Sequence, residues 1–244
     1  MRVIDPKQVE PTVNLNSREH RDGRQVHRRI LSRLRGGPAS IDVGFNRSAA
    51  GLDYATPYAY NRDEFCYTAA GSARMESGGE TVDFTAGLFM WRPAGAATQR
   101  FTVTSAYNSI CAFAPARTDP WGHLLPQSEA GPTRPRPRFR DPAEIKPIGG
   151  TGAGLTHRLV FETPRMQFSH IAIESGRRAP LSERGRDQVY FVESGTCLVS
   201  QGAETLRVEQ GQFLVLNAAE DFDDLLAESG CILIRWSALG GARS

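Results

Sequence analysis

Residues 71–95, GSARMESGGETVDFTAGLFMWRPAG, lie over residues 195–219, GTCLVSQGAETLRVEQGQFLVLNAA, without a gap and at a constant offset of 124. Identities fall at Gly71/Gly195, Gly78/Gly202, Glu80/Glu204, Thr81/Thr205, Gly87/Gly211, Phe89/Phe213 and Ala94/Ala218, and the same offset pairs Arg62-Asp63 with Arg186-Asp187 and Glu64 with Gln188. A chain that carries one unit twice folds as two copies of one plan. Each copy alternates short β-rich runs with Gly-centred turns: EFCYTAAG, SARMES, ETVDFTAG, LFMWRPAG and FTVTSAYNSICAFAP in the first. Such spacing predicts an all-β barrel or sandwich of roughly 100 residues, used twice. The 24 glycines and 15 prolines suit many turns better than a helical bundle.

The repeat sets the expected organisation: an N-terminal arm over 1–39, a first barrel over 40–125, a linker over 126–147 and a second barrel over 148–244. The linker, PQSEAGPTRPRPRFRDPAEIKP, is rich in Pro and Arg, lacks periodicity and reads as an extended surface segment. Residues 19–35, EHRDGRQVHRRILSRLR, read as a short basic helix or arm, serving as a solvated edge or dimer contact before a nucleic-acid contact. A net charge of +2, from 29 basic and 27 acidic side chains, gives no large field, so nucleic acid is not an expected partner. No apolar run reaches the roughly 18 residues of a membrane helix, and MRVIDPKQVEPTVNLNS has no apolar signal segment, so a cytoplasmic location and no membrane partner are expected. Cys66, Cys111, Cys197 and Cys231 are widely spaced in apolar runs and read as four reduced core thiols.

The segment DEFCYTAAGSARMESGGETVDFTAG, followed by LFMWRPAG, resembles the two motifs of the cupin family. Six residues separate Glu64 from Gly71, and five separate Gly87 from Pro93, as in those motifs. Both copies look like cupin domains, so the chain resembles a bicupin. The first copy is similar to the ethanolamine-utilisation cupins and the ureidoglycine aminohydrolases. The resemblance implies two tandem jelly-roll β-barrels. In metal-binding cupins it also implies three histidines and a glutamate around Mn, Fe, Zn or Ni. The corresponding positions here are Tyr58, Tyr60, Glu64 and Thr98 in the first copy, and Ser182, Arg184, Gln188 and Phe222 in the second. One carboxylate among phenols is a poor ligand set for such ions, and an arginine repels them. The five histidines, His20, His27, His123, His157 and His170, show no ligand spacing. No metal and no other cofactor is expected.

Strand alternation predicts that residues of Glu64's parity face the barrel interior. That places Tyr58, Tyr60, Glu64 and Cys66 in the first pocket, with Thr98 and Arg100 entering from the strand after PAG. Phe65 and Tyr67, with Phe191 in the second copy, are expected on an outer face suited to an interface, in a monomer or a homodimer. The second pocket would hold Ser182, Arg184, Gln188, Tyr190, Phe222 and Asp224, with His170 on a neighbouring strand. An inward arginine needs an anionic partner, either Asp224 or an acidic ligand. A buried Glu64 among phenols reads as a proton-transfer group with Tyr58 and Tyr60 as donors, or as a carboxylate held by those phenols or by Arg100. Three functions follow: a metal-independent isomerase, cyclase, lyase or hydrolase of small molecules; a non-catalytic binder or sensor of a small polar or anionic ligand; or a relic that recruits a partner enzyme.

Overall fold

The computed structural model describes residues 1–12, 23–56, 59–96, 99–119, 124–125, 134–148 and 154–239. Tyr58, Thr98, His20, His123 and residues 126–133 of the linker lie outside the described residues. The described chain is almost entirely antiparallel β-structure with short 3-10 turns. None of its helices is long and apolar enough to cross a membrane.

Two compact units divide the chain, one of residues 10–141 and the other of residues 1–9 with 142–244. In the first, a sheet built on Asp63–Ala70, Tyr107–Ala114, Asp42–Ser48 and Gln25–Leu31 packs on a four-stranded sheet of Asp53–Thr56, Gln99–Val103, Ser72–Ser77 and Glu80–Thr85. Side chains alternate along each strand, so one face of each sheet supplies the shared core: Cys66, Met90 and Tyr107 from one, and Met75, Phe84, Phe101 and Val103 from the other. The second unit repeats the plan with Arg186–Ser194, Cys231–Leu239 and Met166–Ile173 against Thr196–Gln201, Glu204–Glu209 and Asp224–Ala227. The hairpin Ser72–Ser77/Glu80–Thr85 returns 124 residues later as Thr196–Gln201/Glu204–Glu209.

The structure corrects several expectations. Residues 1–39 are not one arm, because Arg2–Ile4 pair with Phe213–Val215 of the second unit while Pro11–Thr12 and Gln25–Leu31 extend the first unit's sheet. QVHRRIL is therefore a strand and not a basic helix; pairing with Asp42–Ser48 satisfies its backbone and buries Ile30 and Leu31. The linker also contributes structure, since Arg138–Arg140 pair with Phe89–Trp91.

Phe65, Tyr67 and Phe191 are buried instead of exposed. Phe65 stacks on Trp91, Tyr67 tilts onto Phe89 and Phe191 onto Phe213, so the second face of each large sheet carries apolar packing of its own. Cys66 and Cys111 are not reduced thiols. They sit directly opposite on neighbouring strands, with Cα atoms 4.2 Å apart, and form a cystine. Cys197 and Cys231 are buried free thiols.

Candidate functional site

A cavity of about 100 Å³ opens inside the first unit. Glu64 and Cys66 enter it from the Asp63–Ala70 strand, and Tyr60 from the short strand before it. These three positions follow the expected parity. Thr98 and Tyr58 lie outside the described residues, and the strand after PAG runs one residue out of the expected register. Its buried positions are Gln99, Phe101 and Val103, so Gln99 lines the cavity while Arg100 is exposed and pairs with Asp53 at 2.5 Å. The loop between Pro93 and Gln99 carries no periodicity, which is why parity could not be carried across it.

Glu64 is 6 % exposed, and among the described residues its ion-pair partner is Arg92, not Arg100. Arg92 Nη1 donates to its Oε2 at 3.2 Å, from the facing position of the next strand. The same guanidinium lies 4.9 Å from the centre of the Tyr60 ring, and that ring meets Phe113 edge-on. Burial pushes the Glu64 carboxyl above its ordinary range, while the Arg92 guanidinium, Arg62 and a hydrogen bond from Gln99 pull the other way. Cys66 Sγ lies 3.5 Å from Glu64 Oε1, and Asn46 Nδ2 donates to Cys111 Sγ at 3.8 Å.

Three further cavity groups, Asp42, Arg29 and Arg117, were invisible to motif reading because they come from the chain before the motif or after its last strand, and Arg62 joins them from within it. Asp42 anchors them: Arg62 Nη1 donates to Asp42 Oδ2 at 2.8 Å, the backbone N–H of Arg117 at 3.0 Å, and the Arg117 side chain stands at 4.0 Å. Arg29 also lines the cavity, and among the described residues its side chain makes no ion pair or hydrogen bond. Burial and the neighbouring Arg117 pull its pKa down to about 10, which leaves it charged at neutral pH. The Nε atoms of Arg62 and Arg117 are buried without a hydrogen-bond partner. One carboxylate thus faces three guanidinium groups, an excess of positive charge suited to holding an anion.

Among the described residues the fit to a metal ion is poor. Arg92 stands hydrogen-bonded to the one carboxylate of the motif. The ligand atoms of Glu64, Cys66 and Cys111 lie within 4.8 Å of one another, but the two sulfurs are bonded together and offer no thiolate. A lone carboxylate already paired with a guanidinium is not a ligand set for a divalent cation.

In the second unit the equivalent positions are tied to one another. Gln188 and Tyr190 are buried side by side, the Tyr190 hydroxyl 2.8 Å from both Gln188 Oε1 and the Leu181 carbonyl, and Arg235 pairs with Glu183 at 2.9 Å. Ser182 bonds the Phe222 carbonyl at 3.1 Å. Arg184 is not in the interior: its side chain is 86 % exposed and pairs with Asp221, not Asp224, whose partner is Arg178. His170 alternates with Ile171 and Ile173, which belong to the core, so it faces away from the barrel interior. Arg184, exposed and paired with Asp221, and His170, on the outer face of Met166–Ile173, therefore do not share a pocket.

No family model and no curated protein matches the sequence. Solved structures do. A protein of Pseudomonas aeruginosa described as glyoxylate-induced is 13% identical with a TM-score of 0.70, covering 91% of this chain and 83% of its own. The E. coli protein YlbA is 11% identical with a TM-score of 0.69, over 99% of this chain and 92% of its own. An oxalate decarboxylase variant from Bacillus subtilis is 10% identical with a TM-score of 0.67, over 99% and 78%. At such identities the likeness shows the fold alone, and the fold shared is the cupin jelly roll.

Proposed function

We propose that this chain is a bicupin whose first barrel binds a small organic acid and moves a proton on it with Glu64, without a metal ion. The observation that carries this reading is the pairing of a buried carboxyl with an unpartnered guanidinium in one cavity. Arg29 and Arg117 would take the ligand's carboxylate in the bidentate manner that guanidinium favours. Glu64, its proton affinity raised by burial, would accept or return a proton at the neighbouring carbon, with Tyr60 and Tyr58 as the hydrogen-bonding phenols. Two of the similar structures are described by small carboxylates, one as an oxalate decarboxylase and one as glyoxylate-induced, which agrees with this ligand class. The second barrel, with Gln188 in place of Glu64, would serve as a structural partner. The reading includes action in the cytoplasm as a monomer or homodimer, although with Cys66 and Cys111 joined in a cystine the thiols no longer support that location.

The Arg92 ion pair favours one other reading. A carboxylate already held by a guanidinium is a ready floor for a binding pocket, and the protein would then sense the acid and not transform it. One experiment separates the two. Small carboxylic acids, their amides and amines are screened by thermal shift, and the acids that bind are followed by NMR in D2O for exchange of carbon-bound protons. Binding by acids only, lost in Arg29→Gln, is expected, with deuterium wash-in that falls by roughly 100-fold in Glu64→Gln. Bound acids that show no wash-in would move the binder reading to first place.

A further inference from the structure

The cystine Cys66–Cys111 lies in the wall of the candidate ligand cavity, and nothing in the fold requires it there. The strands that carry it already share a ladder from Asn108↔Ala70 to Ala114↔Asp63. The second barrel makes the comparison internally: at the offset of 124, Cys66 and Cys111 correspond to Tyr190 and Arg235, also directly opposite each other, and that barrel is complete without a cross-link. The placement is chemical as well as structural. Both sulfurs belong to cavity-lining residues, Cys111 is only half-buried, and a buried carboxyl and an amide touch the two sulfurs.

We infer that Cys66–Cys111 is a site of thiol–disulfide exchange with a small thiol that carries an acid group. The acid group rests on the anion site proposed above; the exchange itself does not. The thiol's sulfur, as thiolate, attacks Cys111 Sγ from the cavity. The S–S bond breaks, Cys66 Sγ leaves with the bonding pair, and it takes a proton from Glu64 Oε1, 3.5 Å away. A second thiol gives its proton to Glu64 and attacks the thiol-borne sulfur of the mixed disulfide, and Cys111 Sγ leaves and is protonated from solvent, where the first thiol's proton went. Two thiols are oxidised to one disulfide and the cystine is reduced to two cysteines, so atoms, protons and electrons balance.

Arg29 and Arg117 give the selection. An acid group on the thiol would dock on the unpartnered guanidinium while its sulfur reaches the cystine, and an amine in its place would be repelled. The probes are 3-mercaptopropionate, 2-mercaptoethanol and 2-aminoethanethiol, compared at equal thiolate concentration on the native, oxidised protein. Cystine loss is read by mass after alkylation. The acid thiol is expected to react at least tenfold faster than the amine thiol, and the ratio to collapse in Arg29→Gln. Cys66→Ser, given the symmetrical disulfide of 3-mercaptopropionate, is expected to hold one half as a stable mixed disulfide on Cys111 and release the other half as thiol. Reduction only in denaturant, or equal rates for all three probes, would overturn the inference. Failure of the proton-transfer reading shows separately, since deuterium wash-in into a thiol-free acid needs no cystine.

Discussion

At the scale of single residues, the buried pair Glu64–Arg92 decides how the site can be tested. Both side chains are almost fully buried, so removing one partner leaves an uncompensated charge. Arg92→Met is expected to cost about 3–5 kcal/mol in denaturant unfolding, and the double variant Glu64→Gln with Arg92→Met to recover a large part of that loss. Additive losses would mean the two groups do not interact. His27 supplies a pH dependence of known sign. Burial, opposed in part by a 2.6 Å bond to Asn46, lowers its pKa from 6.5 to about 4. Its stabilising effect is present above pH 6.5 and is lost as pH falls through the window down to about 4, where the unfolded chain takes up the proton first. The drop is on the order of 3 kcal/mol, and His27→Gln should flatten it in urea midpoints measured across that window. Residue identity was legible where a motif fixed it, as for Glu64 and Tyr60. Arg92 stands within the same motif, yet only a ladder register shows which cation faces a carboxylate.

At the scale of elements, the repeat was legible because its turns need glycine. Gly71 and Gly195 occupy matching turns with φ of +75° and +79°. A Cβ at Gly71 would stand 1.8 Å from the Ala106 carbonyl oxygen, and one at Gly195 2.2 Å from that of Gly230. Backbone meets backbone at both places, so neither clash can be relieved by a side-chain rotation. Gly71→Ala and Gly195→Ala are each expected to destabilise by more than about 1 kcal/mol, measured as a shift in urea midpoint, while Gly79→Ala, with open space around its Cβ, should cost less. Parity inside a strand was equally legible, as Glu64 and Cys66 show. It failed at Arg100 and Arg184 because each lies across an irregular loop from the residue that set the phase, and a one-residue slip turns a side chain to the other face. The strand Gln25–Leu31 was missed for another reason: three basic side chains obscured its alternation, and only its pairing with Asp42–Ser48 shows what its backbone does.

At the scale of the whole molecule, sequence order and structural membership part company at the N-terminus. Residues 2–4 belong to the unit formed by residues 142–244, not to the barrel that follows them in the chain. Repeat alignment at the constant offset of 124 could not show this, since the first strand's counterpart, Arg138–Arg140 against Phe89–Trp91, falls outside that register, and its own partner, Phe213–Val215, lies some two hundred positions later. Val3 packs on the core cluster of that unit, across from Leu214. A carboxylate there would be partly buried with no cation in the ladder opposite it, and would forfeit the apolar contact as well. Val3→Asp is therefore expected to destabilise the distant unit by about 1–3 kcal/mol. Hydrogen exchange followed by mass spectrometry reads the location: protection should fall in the strand Phe213–Leu216 and its neighbour Arg186–Ser194, and stay unchanged in Asp63–Ala70. The cavity chemistry should be unaffected, because every residue assigned to it lies between 10 and 141. Lost protection in Asp63–Ala70, or none in Phe213–Leu216, would place the first strand with the wrong barrel.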